Sequence, residues 1–175
     1  IQAFPAHTRD DMIKQMINMR AKFPNYNSYA NSTIDKVLTA EEMKGALVKK
    51  ATNFRSSILI NDGTGKFKMQ SMPELAQVSN VNGMVVDDFN ADGNLDVVLC
   101  GNDHGTEISV GRYDALNGLL LKGDGKGGFK DVTIAESGVY IPGNAKAMVK
   151  ILSANNSYNI VASQNRDKLR IARLN

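Results

Sequence analysis

Two stretches set 62 residues apart constrain the fold more than anything else in the chain. They are "SSILINDGTGKFKMQ", from position 56, and "NGLLLKGDGKGGFKDVT", from position 117. Each reads as an apolar strand, a tight Gly-rich turn and a return strand opened by an aromatic, Phe67 or Phe129. Between them "GMVVDDFNADGNLDVVLCGN" predicts two further strands joined by an acidic loop, and "AMVKILSANNSYNIVASQN" is a weaker version of that pair. Setting Val97 and Val98 against Ile160 and Val161 places Asp88 opposite Ile151, Asp92 opposite Asn155 and Asp96 opposite Asn159. The chain thus carries a repeat of about 60 residues, each an antiparallel four-stranded unit, as stacked or radially arranged sheets require.

The predicted strands fall near 55–61 and 66–70, then 83–87, 96–101, 118–122 and 128–132, then 146–151, 158–163 and 168–173. One unit is complete. The first, over 51–72, has only its last two strands, and the third, over 143–175, lacks its fourth. The second spans 80–135. Open sheet edges are templates for further pairing, so the fold class expected is mainly β: partial β-propeller blades within one domain of 175 residues. The reading is that of the C-terminal part of a longer propeller, or of a piece that pairs with another copy. Residues 1–50 differ in kind and read as a helical insert. Thr8 and Asp11 predict an N-cap, with Met12, Ile13, Met16 and Ile17 on one face until Phe23 and Pro24; an Asn-, Tyr- and Ser-rich loop follows. Thr39 with Glu42 predicts a second helix carrying Met43, Ala46 and Leu47.

The acidic loop carries the clearest chemistry. Asp88, Asn90, Asp92, Asn94 and Asp96 alternate along it, with Gly93 at the position where a tight curl needs positive φ. Side-chain oxygens at loop positions 1, 3, 5 and 9, with the carbonyl of Asn94 at 7, suffice to wrap one cation, while Phe89 and Leu95 are expected to face the core. Oxygen donors without Cys or His favour calcium over zinc or copper, and over magnesium, which demands a rigid octahedron and resists losing water. Position 12 is Leu99 rather than the bidentate Glu of an EF-hand, and the flanks are strands. The alternative is an Asx-rich turn without a metal, in which three neighbouring carboxylates would repel one another.

Charge is segregated along the chain. Residues 1–60 carry nine basic and five acidic side chains, 61–121 three and nine, and 122–175 nine and four. No basic stripe with interleaved aromatics marks a nucleic-acid binder, and no apolar run is long enough to span a bilayer. Cys100, the sole cysteine, reads as a small buried hydrophobe.

The loop "DFNADGNLD" running into a hydrophobic strand resembles the FG-GAP or VCBS repeat of integrin α-subunit β-propellers and of many secreted bacterial proteins. The wider chain, with "GRYDALNGLLLKGDGKGGF" and the helical stretch before "NDGTGKF", resembles the C-terminal part of such proteins from Bacteroidetes-type bacteria. The resemblance implies calcium at Asp88, Asn90, Asp92, Asn94 (by its carbonyl) and Asp96. It also implies a periplasmic or extracellular, cell-surface location and a binding or adhesion module for protein or glycan rather than a catalyst. The third repeat has lost the carboxylates, and no site is carried over there. The segment 8–50 and the loop "NDHGTEISVGRYDALN" hold equivalent places in their repeats and are expected on one face. His104, Glu107, Arg112, Tyr113 and Asp114 are the residues of that loop suited to polar recognition. The rivals are a propeller-fold polysaccharide hydrolase or lyase, with acid and base drawn from Asp103, Glu107 and Asp114, and a scaffold for an upstream domain.

Overall fold

The computed structural model describes residues 2–154 and 157–173, which form two compact units, Ile1–Thr52 and Asn53–Asn175. The first is helical. Helix α1 (Arg9–Gln15) starts where the Thr8 hydroxyl accepts the Asp11 N–H, and α2 (Met19–Lys22), α3 (Tyr26–Ala30) and α4 (Ile34–Val37) are single turns. They close on Met12, Ile13, Met19, Phe23, Tyr29 and Val37, with Phe23 and Tyr29 edge to face. The sequence pattern runs too far here: the first helix ends at Gln15, and Ile17 is exposed.

The second helix expected after Thr39 is absent. The Thr39 and Glu42 hydrogen bonds of a capping box are made, yet only a turn follows. Gly45, at φ 79°, ends it, and Lys22 lies 2.7 Å from Glu42, holding that carboxylate down at about 2. The pair fastens the turn to α2 instead of starting a helix. Conversely, α3 and α4 form in the stretch that reads as loop.

Every sheet described in the second unit is antiparallel. Strands β1 (Ser57–Asn61) and β2 (Phe67–Ser71) pair alone. Strands β3 (Val81–Asp87), β4 (Asp96–Gly101), β5 (Leu119–Gly123) and β6 (Phe129–Val132) form a four-stranded meander. Strands β7 (Ala145–Leu152), β8 (Tyr158–Gln164) and β9 (Arg170–Ala172) form a three-stranded one. A short helix α5 (Ile134–Ser137), with a Thr133–Glu136 capping box and Gly138 in the left-handed region, leads from β6 toward β7. The chain is therefore mainly β, with three antiparallel sheets and few helices.

The repeat is visible in backbone detail. A register shift between Val81 and Gly83 in β3 recurs between Ala145 and Ala147 in β7. Asn102 N–H donates to the Asn80 carbonyl as Asn165 does to Asn144, and Asp62 to Lys66 as Asp124 does to Gly128. Asn155, which the repeat sets opposite Asp92, lies outside the described residues.

The β4 strand is buried along its whole length, and its alternation divides two cores. Val98 and Cys100 turn toward the β7–β9 sheet, meeting Ile141, Ala145, Met148, Ile160 and Ala162. Val97 and Leu99 turn the other way, meeting Ala76, Leu116, Leu119 and Leu121. Gly83 lets β3 and β7 approach closely, since a Cβ there would stand 2.9 Å from the Met148 nitrogen. Asp87 of β3 and Lys150 of β7 form an ion pair across the same contact, and the Lys150 ammonium lies 3.9 Å from the Tyr158 ring centre.

Leu95 departs from expectation: it is 62% exposed instead of facing the core. By parity it belongs with Val97 and Leu99, on the side where a groove is lined by Ile58, Met84, Val86 and Phe129. Phe89 does pack, partly buried, against the β7–β9 side. Among the described residues no helix is long and apolar enough to cross a membrane.

Candidate metal centre and binding cleft

The β3–β4 connection curls as its residue types dictate. Asp88 accepts the N–H groups of Asp92 (3.1 Å) and Gly93 (2.9 Å). Asn90 accepts from Asp92 N–H and donates to the Asp92 carboxylate, and Asp92 accepts the Asn94 N–H at 2.8 Å. Short Asx side chains capturing N–H groups two to five residues on are the driving force of such a curl. Gly93 takes φ 86°, as its position in the pattern demands, and Ala91 takes φ 57°. For Ala91 this costs about 1–2 kcal/mol, which the local hydrogen bonds offset. The Asn94 N–H, and then the Asn90 amide, hold the Asp92 carboxyl below the usual carboxylate range.

Asp96 is different in kind. It is fully buried at the start of β4. One carboxylate oxygen accepts the Phe89 N–H at 3.2 Å and the other the Gly123 N–H at 3.0 Å, so it joins the loop to the end of β5. The approach is close: a Cβ on Gly123 would lie 2.1 Å from the Leu95 carbonyl oxygen. Among the described residues no Lys or Arg forms an ion pair with Asp88, Asp92 or Asp96. A buried carboxylate with N–H donors but no cation is incompletely compensated.

Three carboxylates and two amide side chains thus share one nine-residue loop. Among the described residues no three acidic, His or Cys side chains converge as a ready-made metal cluster; the carboxylates are turned onto backbone N–H groups. Each such oxygen keeps a further lone pair. The donor set is all oxygen, the kind a hard divalent cation takes; Asp88, Asn90, Asp92 and Asp96 could supply side-chain oxygens and Asn94 its carbonyl.

The β4–β5 connection lies at the opposite end of β4, about 20 Å away at 3.3 Å per residue. Asp103 and Tyr113 form an isolated antiparallel bridge, with N–H to carbonyl distances of 2.8 and 2.9 Å, and the loop between them turns back on itself where Val110 and Gly111 donate to the Glu107 carbonyl. Of the five residues expected to recognise a ligand, Tyr113 lines a cleft of about 690 Å³, and His104, Glu107, Arg112 and Asp114 are not on its walls. The His104 Nε2 is shut from solvent without a hydrogen-bond partner among the described residues. Asp103, expected only as a candidate acid or base, does line the cleft; the Gly105 N–H, with Lys146 at 3.4 Å, holds its carboxyl below the usual range.

The remaining walls come from Asn53–Ser56, Gln77–Val81 and Thr106. Sequence reasoning missed Phe54, which stands 87% exposed beside the cleft. It precedes β1 in a stretch without periodicity, and no local signal marks it.

Compared with family models, curated proteins and solved structures, this chain matches none of them.

Next in the chain to Asp103 stands the residue that organises this end of the fold, Asn102, also absent from the sequence-based candidates. It is fully buried at φ 86°. Its amide donates to the Leu116 and Gly143 carbonyls, both at 2.8 Å, and its side-chain oxygen accepts the Leu116 N–H at 3.0 Å. Its own carbonyl accepts from Asn82 and Lys146. One side chain therefore ties β4, the β4–β5 loop and the approach to β7. Cys100, two residues earlier, is buried, and burial pushes its thiol pKa up, as befits a packing residue.

Proposed function

We propose that this chain is a calcium-stabilised segment of an FG-GAP/VCBS-type β-propeller that serves, outside the cytoplasm, as a binding or adhesion module for protein or glycan. The observation that carries the reading is Asp96: a buried carboxylate with no basic partner among the described residues, at the base of a loop whose other side-chain oxygens are all Asp or Asn. A cation held by Asp88, Asn90, Asp92, Asp96 and the Asn94 carbonyl would neutralise this loop and fasten β3, β4 and the end of β5. The repeated meander, with its matching register shifts, supports a propeller blade as the architectural unit. A millimolar-range calcium site suits an extracellular setting. Binding is favoured over hydrolysis because the cleft is lined by one carboxylate, Asp103, whereas glycoside hydrolysis generally runs on two.

Calcium titration of the chelator-treated chain, followed by backbone amide NMR, tests the ion. The amides of Gly93, Asn94 and Gly123 donate to Asp88, Asp92 and Asp96. They are expected to shift together with a single Kd of about 10⁻⁴–10⁻³ M, and Asp92→Ala should abolish the response. Amides that stay in place through the whole titration would overturn the calcium assignment.

A further inference from the structure

We infer that the cleft between Phe54 and Tyr113 is a subsite for a neutral oligosaccharide. The inference rests on the reading of the chain as a binding module and names both the place and the ligand class.

The walls decide the class. Six of the twelve lining residues, Asn53, Ser56, Gln77, Ser79, Asn80 and Thr106, carry neutral hydrogen-bonding side chains; the Gln77 amide is already committed to Ser56 and Met72, and the other five carry the argument. A sugar hydroxyl both donates and accepts, and amides and hydroxyls match that duality. Charge is balanced: among the described residues Arg55 is the one cation and Asp103 the one carboxylate on the walls. A phosphorylated or strongly acidic ligand would call for a surplus of cations, and here Arg55 already lies 3.7 Å from Glu74. Apolar surface from Val78, Val81, Phe54 and Tyr113 is interleaved with the polar walls, the mixture an amphipathic sugar needs and a wholly apolar ligand does not.

The two aromatics supply what the polar walls lack. A pyranose presents one face of C–H groups, and an aromatic face covers such a surface without competing for its hydroxyls. Phe54 is 87% and Tyr113 47% exposed, so both rings are available at the rim. Tyr113 is held in position by its backbone bridge to Asp103, independently of its ring. A free carboxylate oxygen remains on Asp103, since Gly105 N–H and Lys146 both approach its Oδ1; carboxylates grip vicinal hydroxyls well. The volume of about 690 Å³ is within the range of small-ligand sites, about 300–1,000 Å³, and accommodates a short oligosaccharide.

The cleft and the metal loop occupy opposite ends of β4, so the two are tested separately. The full chain is titrated with cello-, manno- and xylo-oligosaccharides, and with an aromatic-rich peptide as the competing class, by calorimetry and amide NMR, in chelator and in calcium. At least one neutral oligosaccharide is expected to bind and to shift the amides around Phe54 and Tyr113. Phe54→Ala and Tyr113→Ala should each weaken it about tenfold, which corresponds to about 1.4 kcal/mol, while Tyr113→Phe, which keeps the ring, should retain binding. Both positions are exposed, and unchanged β-sheet amide shifts will confirm that the variants fold.

The inference is overturned if no oligosaccharide binds, if binding ignores both substitutions, or if the peptide occupies the cleft instead. Calcium-dependent shifts at Gly93 without sugar binding would sink this inference and leave the calcium reading standing. Sugar binding without those shifts would do the reverse.

Discussion

Replacing Asn102 with Leu is expected to bring the β unit close to loss of cooperative folding, although no ligand contact is involved. The substitution leaves the Leu116 N–H and the Leu116 and Gly143 carbonyls without their partner. Each buried group so abandoned costs about 1–3 kcal/mol, and forcing a non-glycine, non-Asx residue to φ 86° adds about 1–2 kcal/mol. The sum is a large part of the roughly 5–15 kcal/mol that holds a domain together. A melting temperature lower by roughly 10 °C or more follows for a unit of this size. Asn102→Gly separates the two causes: it relieves the backbone and keeps the hydrogen-bond loss, so it should recover only the smaller part. Circular dichroism melts of the three proteins decide it, and a Leu variant that melts with the wild type would show that Asn102 is not the organiser described here.

That residue also shows where sequence reading stops. The nine strands were legible because alternation and Gly-rich turns are local signals, and the two copies of the hairpin reinforced each other. The loop was legible for the same reason: Asp88, Asn90 and Asp92 accept N–H groups within five residues. Asn102 reads as one more turn residue after a strand, because its side-chain partners lie 14 and 41 residues away. The cleft is assembled from separate segments before β1, before β3 and after β4, and no spacing rule links Phe54 to Tyr113. Helices α3 and α4 are single turns held by tertiary contacts such as the Tyr29 hydroxyl on the His7 carbonyl. Leu95 was misjudged because the apolar pattern does not say that β1 and β2 pair alone beside it.

Asp96→Ala is the second change with a large expected effect, and the choice of replacement separates its two roles. Its carboxylate accepts Phe89 N–H and Gly123 N–H from opposite sides. Truncation leaves both donors unpaired and should cost about 2–5 kcal/mol even without calcium. Asp96→Asn keeps one accepting oxygen and removes the charge, so in chelator it should fall between Ala and wild type. In calcium, neither variant should gain what the wild type gains. Asp92→Ala is the complement, because Asp92 lies in the exposed part of the loop: little change in chelator, and loss of the calcium response. If Asp96→Asn in chelator matches wild type in calcium, the buried charge was the burden, and the ion's role as its partner fails.

We propose that the acidic loop holds an ion that fastens the sheet. The most direct test is the melting temperature of the β unit within the full chain, first in excess chelator and then in about 5 mM calcium. With a Kd of about 10⁻⁴–10⁻³ M, mass action contributes roughly 1–2.3 kcal/mol, and the expected result is a rise of several degrees that Asp92→Ala abolishes. Two superimposable cooperative transitions would contradict it and leave the loop an Asx-rich turn closed by its own N–H groups.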